Sequence, residues 1–364
     1  MRKAERVMSS EYMEWAKTQQ QGRFNLATSG LTHFPLAELP VKLEDLELSG
    51  PSFYGYEPLQ QAIARKCQIA PECVVAATGT SMATHLAMAA LLETGDEVLI
   101  EHPTYELLIS TALYLGANVK RFPRRFETGF RLDPAEIERA VTPQTRMIVL
   151  TNLHNPSGAF FDEQTLGRVG EIAKSIGARV LVDEVYLDAA FNLAPRSAFH
   201  LGNEFLTTNS LTKVYGLSGL RCGWILAEPT LTQKMWRLND LFGVIPAHPA
   251  ERLSVIALAH LDRIAARAKA LLEINRALLN EFLCSRRDLD AAGGELGTIN
   301  FPHLKQGSVE SLCQLLRKKY ETTIVPGTFF EMPEHFRVGI GCNTDMLIGG
   351  LERLGAALDE LNSS

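Results

Sequence analysis

Residues 74–101 read VVAATGTSMATHLAMAALLETGDEVLIE, and the order of elements within them decides the fold. Val74 to Thr78 is a short strand-like run, the spacing of apolar residues predicts a helix from about Ser81 to Glu93, and Glu97 to Glu101 returns as a second strand. Strand, helix, strand is the repeating unit of a parallel sheet covered on both faces by crossover helices. The alternation continues outward. A helix from about Tyr105 to Leu115 precedes a short run, Val119 to Phe122. Leu132-Asp133-Pro134 opens the next helix, because Asp suits the N-cap and Pro is tolerated at the first helical position. Strands then follow at Arg146 to Thr151, Arg179 to Asp183, Phe205 to Ser210 and Gly223 to Ala227, with a helix from Asp162 to Ser175 that ends at Gly177.

Beyond residue 247 the texture changes to a long Ala, Leu and Arg helix, Ala250 to about Phe282, with apolar residues at helical spacing. An α+β tail follows, with strands expected at Gly297 to Phe301, Thr322 to Val325 and Phe336 to Ile340, and a closing helix from Thr344 to Leu361. The expected organisation is therefore an N-terminal segment over residues 1–44, a large α/β domain over 45–247 and a small C-terminal α+β domain over 248–364. No repeat, low-complexity tract or flexible linker separates them, so the small domain should pack tightly on the large one.

Length supports that division, since 364 residues exceed what one hydrophobic core comfortably organises. A chain that is 46% hydrophobic and 21% charged is neither disordered nor fibrous. Its 36 basic and 42 acidic residues leave a net charge of −6, which disfavours nucleic acid and anionic membranes as partners. Small molecules become the expected ligands. No run of eighteen apolar residues is present and no cleavable leader is recognisable, so a cytoplasmic protein is expected. The six cysteines are scattered without zinc spacing and read as reduced thiols, with no metal site. A nicotinamide dehydrogenase would want a GxGxxG turn after the first strand, and the nearest approach, Gly339-Ile340-Gly341-Cys342-Asn343-Thr344, lacks the third glycine.

The chemistry concentrates in Ser210-Leu211-Thr212-Lys213-Val214-Tyr215-Gly216-Leu217-Ser218-Gly219-Leu220-Arg221, just past a strand. Taken singly, Lys213 reads as a solvated surface charge. A hydroxyl, an ammonium and a guanidinium converging on one glycine-rich loop suit an anionic ligand that carries an aldehyde: Ser210 and Arg221 hold a phosphate and Lys213 forms a Schiff base. Thr78-Gly79-Thr80-Ser81 joins a strand to a helix, where backbone N–H groups of Thr80 and Ser81 can face a phosphate, although a plain connecting turn would look the same. Asp183 ends the apolar strand Val180-Leu181-Val182 and must be paired or act as a helix N-cap. Arg337 sits in a strand otherwise apolar enough to be buried, and a buried guanidinium needs an anion.

These motifs together resemble the fold-type I pyridoxal phosphate-dependent enzymes, specifically the class I/II aminotransferases, and the resemblance covers nearly the whole chain. It implies an aspartate aminotransferase-like architecture, pyridoxal 5'-phosphate as cofactor, and an L-amino acid and a 2-oxo acid as substrates of a ping-pong exchange through a Schiff base on Lys213. By the same resemblance Asp183 pairs with the pyridine nitrogen, Asn155 of Asn152-Leu153-His154-Asn155-Pro156-Ser157-Gly158 and Tyr186 bond the cofactor's phenolate oxygen, and Tyr105 stacks on the ring. Arg337 clamps the substrate α-carboxylate, Asn155 helps hold it, and Gly30 closes against it. Leu153-His154 stands where family members often have Pro-Asn, which leaves His154 as a structural hydrogen-bonding residue or a proton donor behind the site. A homodimer with shared active sites is implied as well. The tyrosine that would reach the partner's phosphate falls at Gly50, leaving Tyr54 or Tyr56 as substitutes. A lyase or cyclase on the same scaffold is the alternative reaction.

Overall fold

The computed structural model describes residues 7–19 and 22–363. The chain opens with α1 (Glu11–Thr18), capped by Ser10 accepting from the Met13 N–H, and the short strand β1 (Phe24–Asn25). After α2 (Glu57–Cys67) come β2 (Val74–Thr78), α3 (Gly79–Ala89), β3 (Glu97–His102), α4 (Glu106–Tyr114) and β4 (Asn118–Pro123). The series continues with α5 (Pro134–Ala140), β5 (Thr145–Thr151), α6 (Glu163–Ile176), β6 (Arg179–Asp183), β7 (Phe205–Ser210), β8 (Cys222–Leu226) and α7 (Pro229–Asn239). The local signals act as expected. Asp133 accepts from the Ala135 N–H ahead of Pro134, Asp162 caps α6 through Thr165, and Gly177 ends α6 at φ 71°.

β2 through β8 form one seven-stranded sheet in the order β2-β8-β7-β6-β5-β3-β4. Only β8 runs against its neighbours, β2 and β7. The other six strands share a direction, so the loops leaving β2, β3, β5, β6 and β7 all emerge at one edge, where α/β folds place their sites. The strands are buried on both faces. Leu99, Ile148, Leu150, Val180 and Val182 pack under α6 with Leu166, Val169 and Ile172, whereas Val98, Ile100, Met147, Val149 and Leu181 belong to the larger core on the other face. Near-continuous apolar runs are the signature of such two-sided burial.

The C-terminal part departs from expectation in detail. The helix expected from Ala250 to Phe282 is two, α8 (His248–Ala259) and α9 (Leu261–Ser285), which meet at His260, where the backbone leaves helical geometry at φ −116° and ψ 21°. β9 (Leu289–Asp290) pairs with β11 (His303–Leu304), and the strand expected over Gly297 to Phe301 contracts to β10 (Ile299–Asn300). After α10 (Val309–Lys319), the run Thr322 to Val325 divides: β12 (Thr322–Thr323) lies parallel to β1, and β13 (Val325–Pro326) pairs with β14 (Phe336–Gly339). α11 (Thr344–Ser363) closes the chain. Among the described residues no helix is long and apolar enough to cross a membrane.

One N-terminal strap ties the two parts together. Gly339 N–H donates to Leu26 O, Thr32 N–H to Gly341 O and Leu31 N–H to Lys213 O. Residues 26–32 thus run between β14 and the loop that follows β7.

Candidate active site

A cavity of about 280 Å³ opens at the edge where the parallel strands end. Into it face Thr80 and Ser81 from the start of α3, Tyr105 before α4, Asn155 after β5, Asp183 and Tyr186 at β6, Ser210 and Lys213 after β7, and Arg221 before β8. Nine residues singled out in sequence, spread over 142 positions from Thr80 to Arg221, therefore meet in one place. Arg337 does not line this space but lies against it, bonded to Asn155.

Lys213 is half-buried, and its amine donates to Ser29 Oγ at 2.9 Å. Burial first, then the positive charges of Arg337 and Arg221, bring its ammonium down to about 8, against a pull upward from Asp183. Asp183 is a buried carboxyl that accepts from the Val185 N–H at 3.1 Å, and burial pushes it up to about 7 against the downward pull of Val185 and Thr208. A carboxyl so placed is poised for a cationic partner. Burial likewise holds the Tyr186 phenol up at about 12, with Arg337 and a hydrogen bond from Ser29 pulling the other way.

Arg337 in β14 is buried and makes no ion pair among the described residues. Its Nη1 donates to Asn155 Oδ1 at 2.9 Å and its Nη2 to the Tyr12 hydroxyl at 2.7 Å, while its Nε has no partner. The rings of Tyr12 and Phe330 lie 5.5 and 5.1 Å from its guanidinium carbon. An uncompensated guanidinium in such a setting is a receptor for an anion. Asn155 is fixed from behind, its N–H donating to Thr151 Oγ1 at 3.0 Å.

The opposite end of the cavity suits a phosphate. Gly79 has φ +78°, and a Cβ there would lie 2.1 Å from Arg221 Nη2, so only glycine lets the guanidinium cross the start of α3. The hydroxyls of Thr80 and Thr212 are buried, line the cavity and have no partner. With the helix N-terminus, Ser81, Ser210 and Arg221 they form a donor set for an oxyanion. A phosphate donor set at one end, a lysine amine in the middle and a buried carboxylate opposite fit pyridoxal phosphate in size and charge.

Other expectations distribute differently. Gly30 does not line the cavity: it packs on the Lys213 backbone, and its neighbour Ser29 occupies the lining. His154 is buried between Ser157 Oγ and Pro103 O, at 2.6 and 2.9 Å, with its pKa held well below the usual imidazole range by burial, which leaves it the structural role. Tyr54 donates to Asp240 and Tyr56 packs edge-on against His248. Tyr12, Met13, Ser29 and Thr212 were missed in sequence. Only the hydroxyl of Ser29, beside Gly30, and that of Thr212, beside Lys213, gave a local signal.

Residues 43–354 match the family model of aminotransferase class I and II. The chain belongs to that family. Its cofactor is pyridoxal phosphate. Capreomycidine synthase of Streptomyces vinaceus is 29% identical, across 93% of this chain and 90% of the relative. A probable aspartate/prephenate aminotransferase of Aquifex aeolicus (strain VF5) is 25% identical, across 84% and 82%. Among solved structures, a PLP-dependent aminotransferase from Streptococcus suis 89-1591 superposes with a TM-score of 0.92 at 26% identity, covering 98% of this chain and 99% of its own. The PLP-dependent cyclase OrfR shares the fold, with a TM-score of 0.88 at 24% identity and the same coverage.

Proposed function

We propose that the protein is an aminotransferase that moves an amino group between an L-amino acid and a 2-oxo acid. The observation that carries this reading is the Lys213 amine, brought to about 8, in one cavity with a buried Asp183, while Arg337, which makes no ion pair among the described residues, is bonded to the Asn155 of its lining. Pyridoxal phosphate, when bound, supplies an aldehyde that captures an amine and a ring that takes up the electron pair released at the substrate α-carbon.

The chain's own residues do the rest. Thr80, Ser81, Ser210 and Arg221 would bind the phosphate, and Tyr105 would pack against the ring. Asp183 would pair with the pyridine nitrogen and keep it protonated, so that the ring stays electron-withdrawing. Asn155 and Tyr186 would donate to the phenolate oxygen. Arg337 grips the substrate carboxylate and so orients the bond to the α-proton. Lys213, with its amine free and neutral, would take that proton and hold it for the second half of the transfer. A single base in that place would suffice for transamination, and the likeness to aminotransferases of 25 and 26% identity supports it.

A second reading is a lyase or cyclase reaction on the same scaffold, favoured by the 29% identity to capreomycidine synthase. The test is a set of visible spectra and product analyses on the purified protein, with Lys213→Ala in parallel. Absorption that depends on Lys213 and bleaches with an amino donor, followed by release of a 2-oxo acid and transfer of ¹⁵N to an acceptor, is the expected result. Ammonia or a ring-closed product would move the assignment to the second reading.

We propose in addition a homodimer with shared sites. Leu241, Phe242 and Val244 are exposed, as are Phe53 and Tyr54, and the Tyr54–Asp240 hydrogen bond brings the two segments together. Large apolar side chains exposed in neighbouring segments are what a second copy would cover.

A further inference from the structure

Ser29 is buried at 6% exposure on the strap between β14 and the Lys213 loop. Its backbone is fixed at both ends: Thr298 Oγ1 donates to Ser29 O at 2.6 Å, and Leu31 N–H donates to Lys213 O at 2.8 Å. Gly30 makes the approach possible, since even a Cβ there would stand 3.3 Å from Lys213 Cδ. The strap is thereby pressed against the lysine, and the side chain delivered to the Lys213 amine is a hydroxyl, 2.9 Å away. The Tyr186 phenol lies close enough to that hydroxyl for it to pull the phenol down against burial. We propose that Ser29 is a positioning residue for the base: its oxygen accepts from the freed Lys213 amine and holds it beside Tyr186, at the place where substrate meets the carboxylate clamp. The inference rests on the reading of Lys213 as the base.

The physical consequence is specific to one titration. The charged groups around the amine are Arg337 from β14, Asp183 from β6 and Arg221 from the loop before β8, with the neutral phenol of Tyr186 alongside. The two arginines and burial oppose the ammonium, and Asp183 favours it. Ser29 adds an acceptor that also favours the ammonium, without carrying charge. Removing it takes away one hydrogen bond to a charged donor, which moves the amine midpoint down by about one pH unit.

The experiment measures that midpoint directly in the full-length chain freed of cofactor, by acetic anhydride labelling across pH with each lysine peptide resolved by mass spectrometry. Wild type, Ser29→Ala and Ser29→Thr are compared. Lys66, paired with Asp188 at 2.9 Å in a separate cavity, is the internal control. Ser29→Ala is expected to lower the Lys213 midpoint while leaving Lys66 in place, and Ser29→Thr, which keeps the hydroxyl, to restore it. In the cofactor-loaded enzyme the acid limb of the half-reaction should move to lower pH by the same amount, with KM little changed. An unmoved Lys213 midpoint overturns the proposal, as does a shift that Lys66 shares or that Ser29→Thr fails to reverse. If wild-type protein shows no Lys213-dependent absorption with pyridoxal phosphate, the reading of Lys213 itself falls, and that outcome is distinct from any of the Ser29 results.

Discussion

Lys213 and Arg337 are each useful because burial has made them uncomfortable. A lysine brought to about 8 is a base when neutral, so its activity is gained as pH rises through that value. Single-turnover conversion with an amino donor should therefore climb with an acid limb near pH 8 and level off above it, and a rate independent of pH between 6.5 and 9.5 would contradict the role. Arg337 offers two directed N–H groups to a planar carboxylate, which a lysine cannot copy. Arg337→Lys should raise the KM for the amino donor by about 10- to 100-fold, the equivalent of one charge-assisted hydrogen bond of about 1.5–3 kcal/mol, with a smaller loss in kcat. Steady-state kinetics would show this as a KM effect, and a fall confined to kcat would argue against the clamp. Both residues were legible in the sequence, as was Asp183, because a charged side chain in or just beyond an apolar strand has few explanations. Ser29 and Tyr12 were not. Their places depend on how α1 and the N-terminal strap lie against the sheet edge and β14, in contacts with residues nearly 200 and more than 300 positions away.

At the scale of elements, the turn that carries Asn155 is held by a buried chain of polar contacts. Arg124, at the end of β4, donates to Glu101 Oε2 at 2.8 Å, and both side chains are fully buried. Glu101 Oε1 accepts from Thr151 N–H and Oγ1 at 2.7 and 2.5 Å, and Thr151 Oγ1 receives the Asn155 N–H. A pair of this kind gains little over a well-packed apolar replacement but is costly to break from one side. Arg124→Met should cost about 3–5 kcal/mol, read as a lower denaturant midpoint, and adding Glu101→Leu should recover part of it. Full additivity of the two losses would show that the residues act separately. This chain of contacts was hidden in the sequence, although each strand in it was visible from its continuous apolar run. The break between α8 and α9 was hidden for a related reason: Ala259-His260-Leu261 contains neither Gly nor Pro, and the apolar period runs through it. The reversed direction of β8 left no mark either, since a strand buried on both faces reads alike in either sense.

For the whole molecule, the cavity and the exposed apolar surface are neighbours. Thr84 of α3 lines the cavity, the next residue, His85, packs edge-on against Phe242 at 5.0 Å, and Phe242 lies in the exposed run with Leu241 and Val244. Leu241 is 77% exposed and Val244 55%, an uncovered position that large aliphatic side chains seldom keep beside further apolar neighbours unless a partner covers them. A second copy seated there would also wall the cavity from the side of α3. Association and cofactor retention are then coupled: a ligand that binds the assembled form better than the separate chains stabilises assembly, and disassembly weakens its binding by the same factor. The double substitution Leu241→Asp with Phe242→Asp changes two exposed residues and leaves the strands, Lys213 and Arg337 untouched. It should convert the protein to a monomer in sedimentation velocity while the far-ultraviolet circular dichroism stays unchanged. Pyridoxal phosphate should then dissociate more readily, at least about tenfold in Kd, which corresponds to about 1.4 kcal/mol of coupling. A wild-type monomer, or a monomeric variant that holds the cofactor as tightly as wild type, would mean that each chain builds its site unaided.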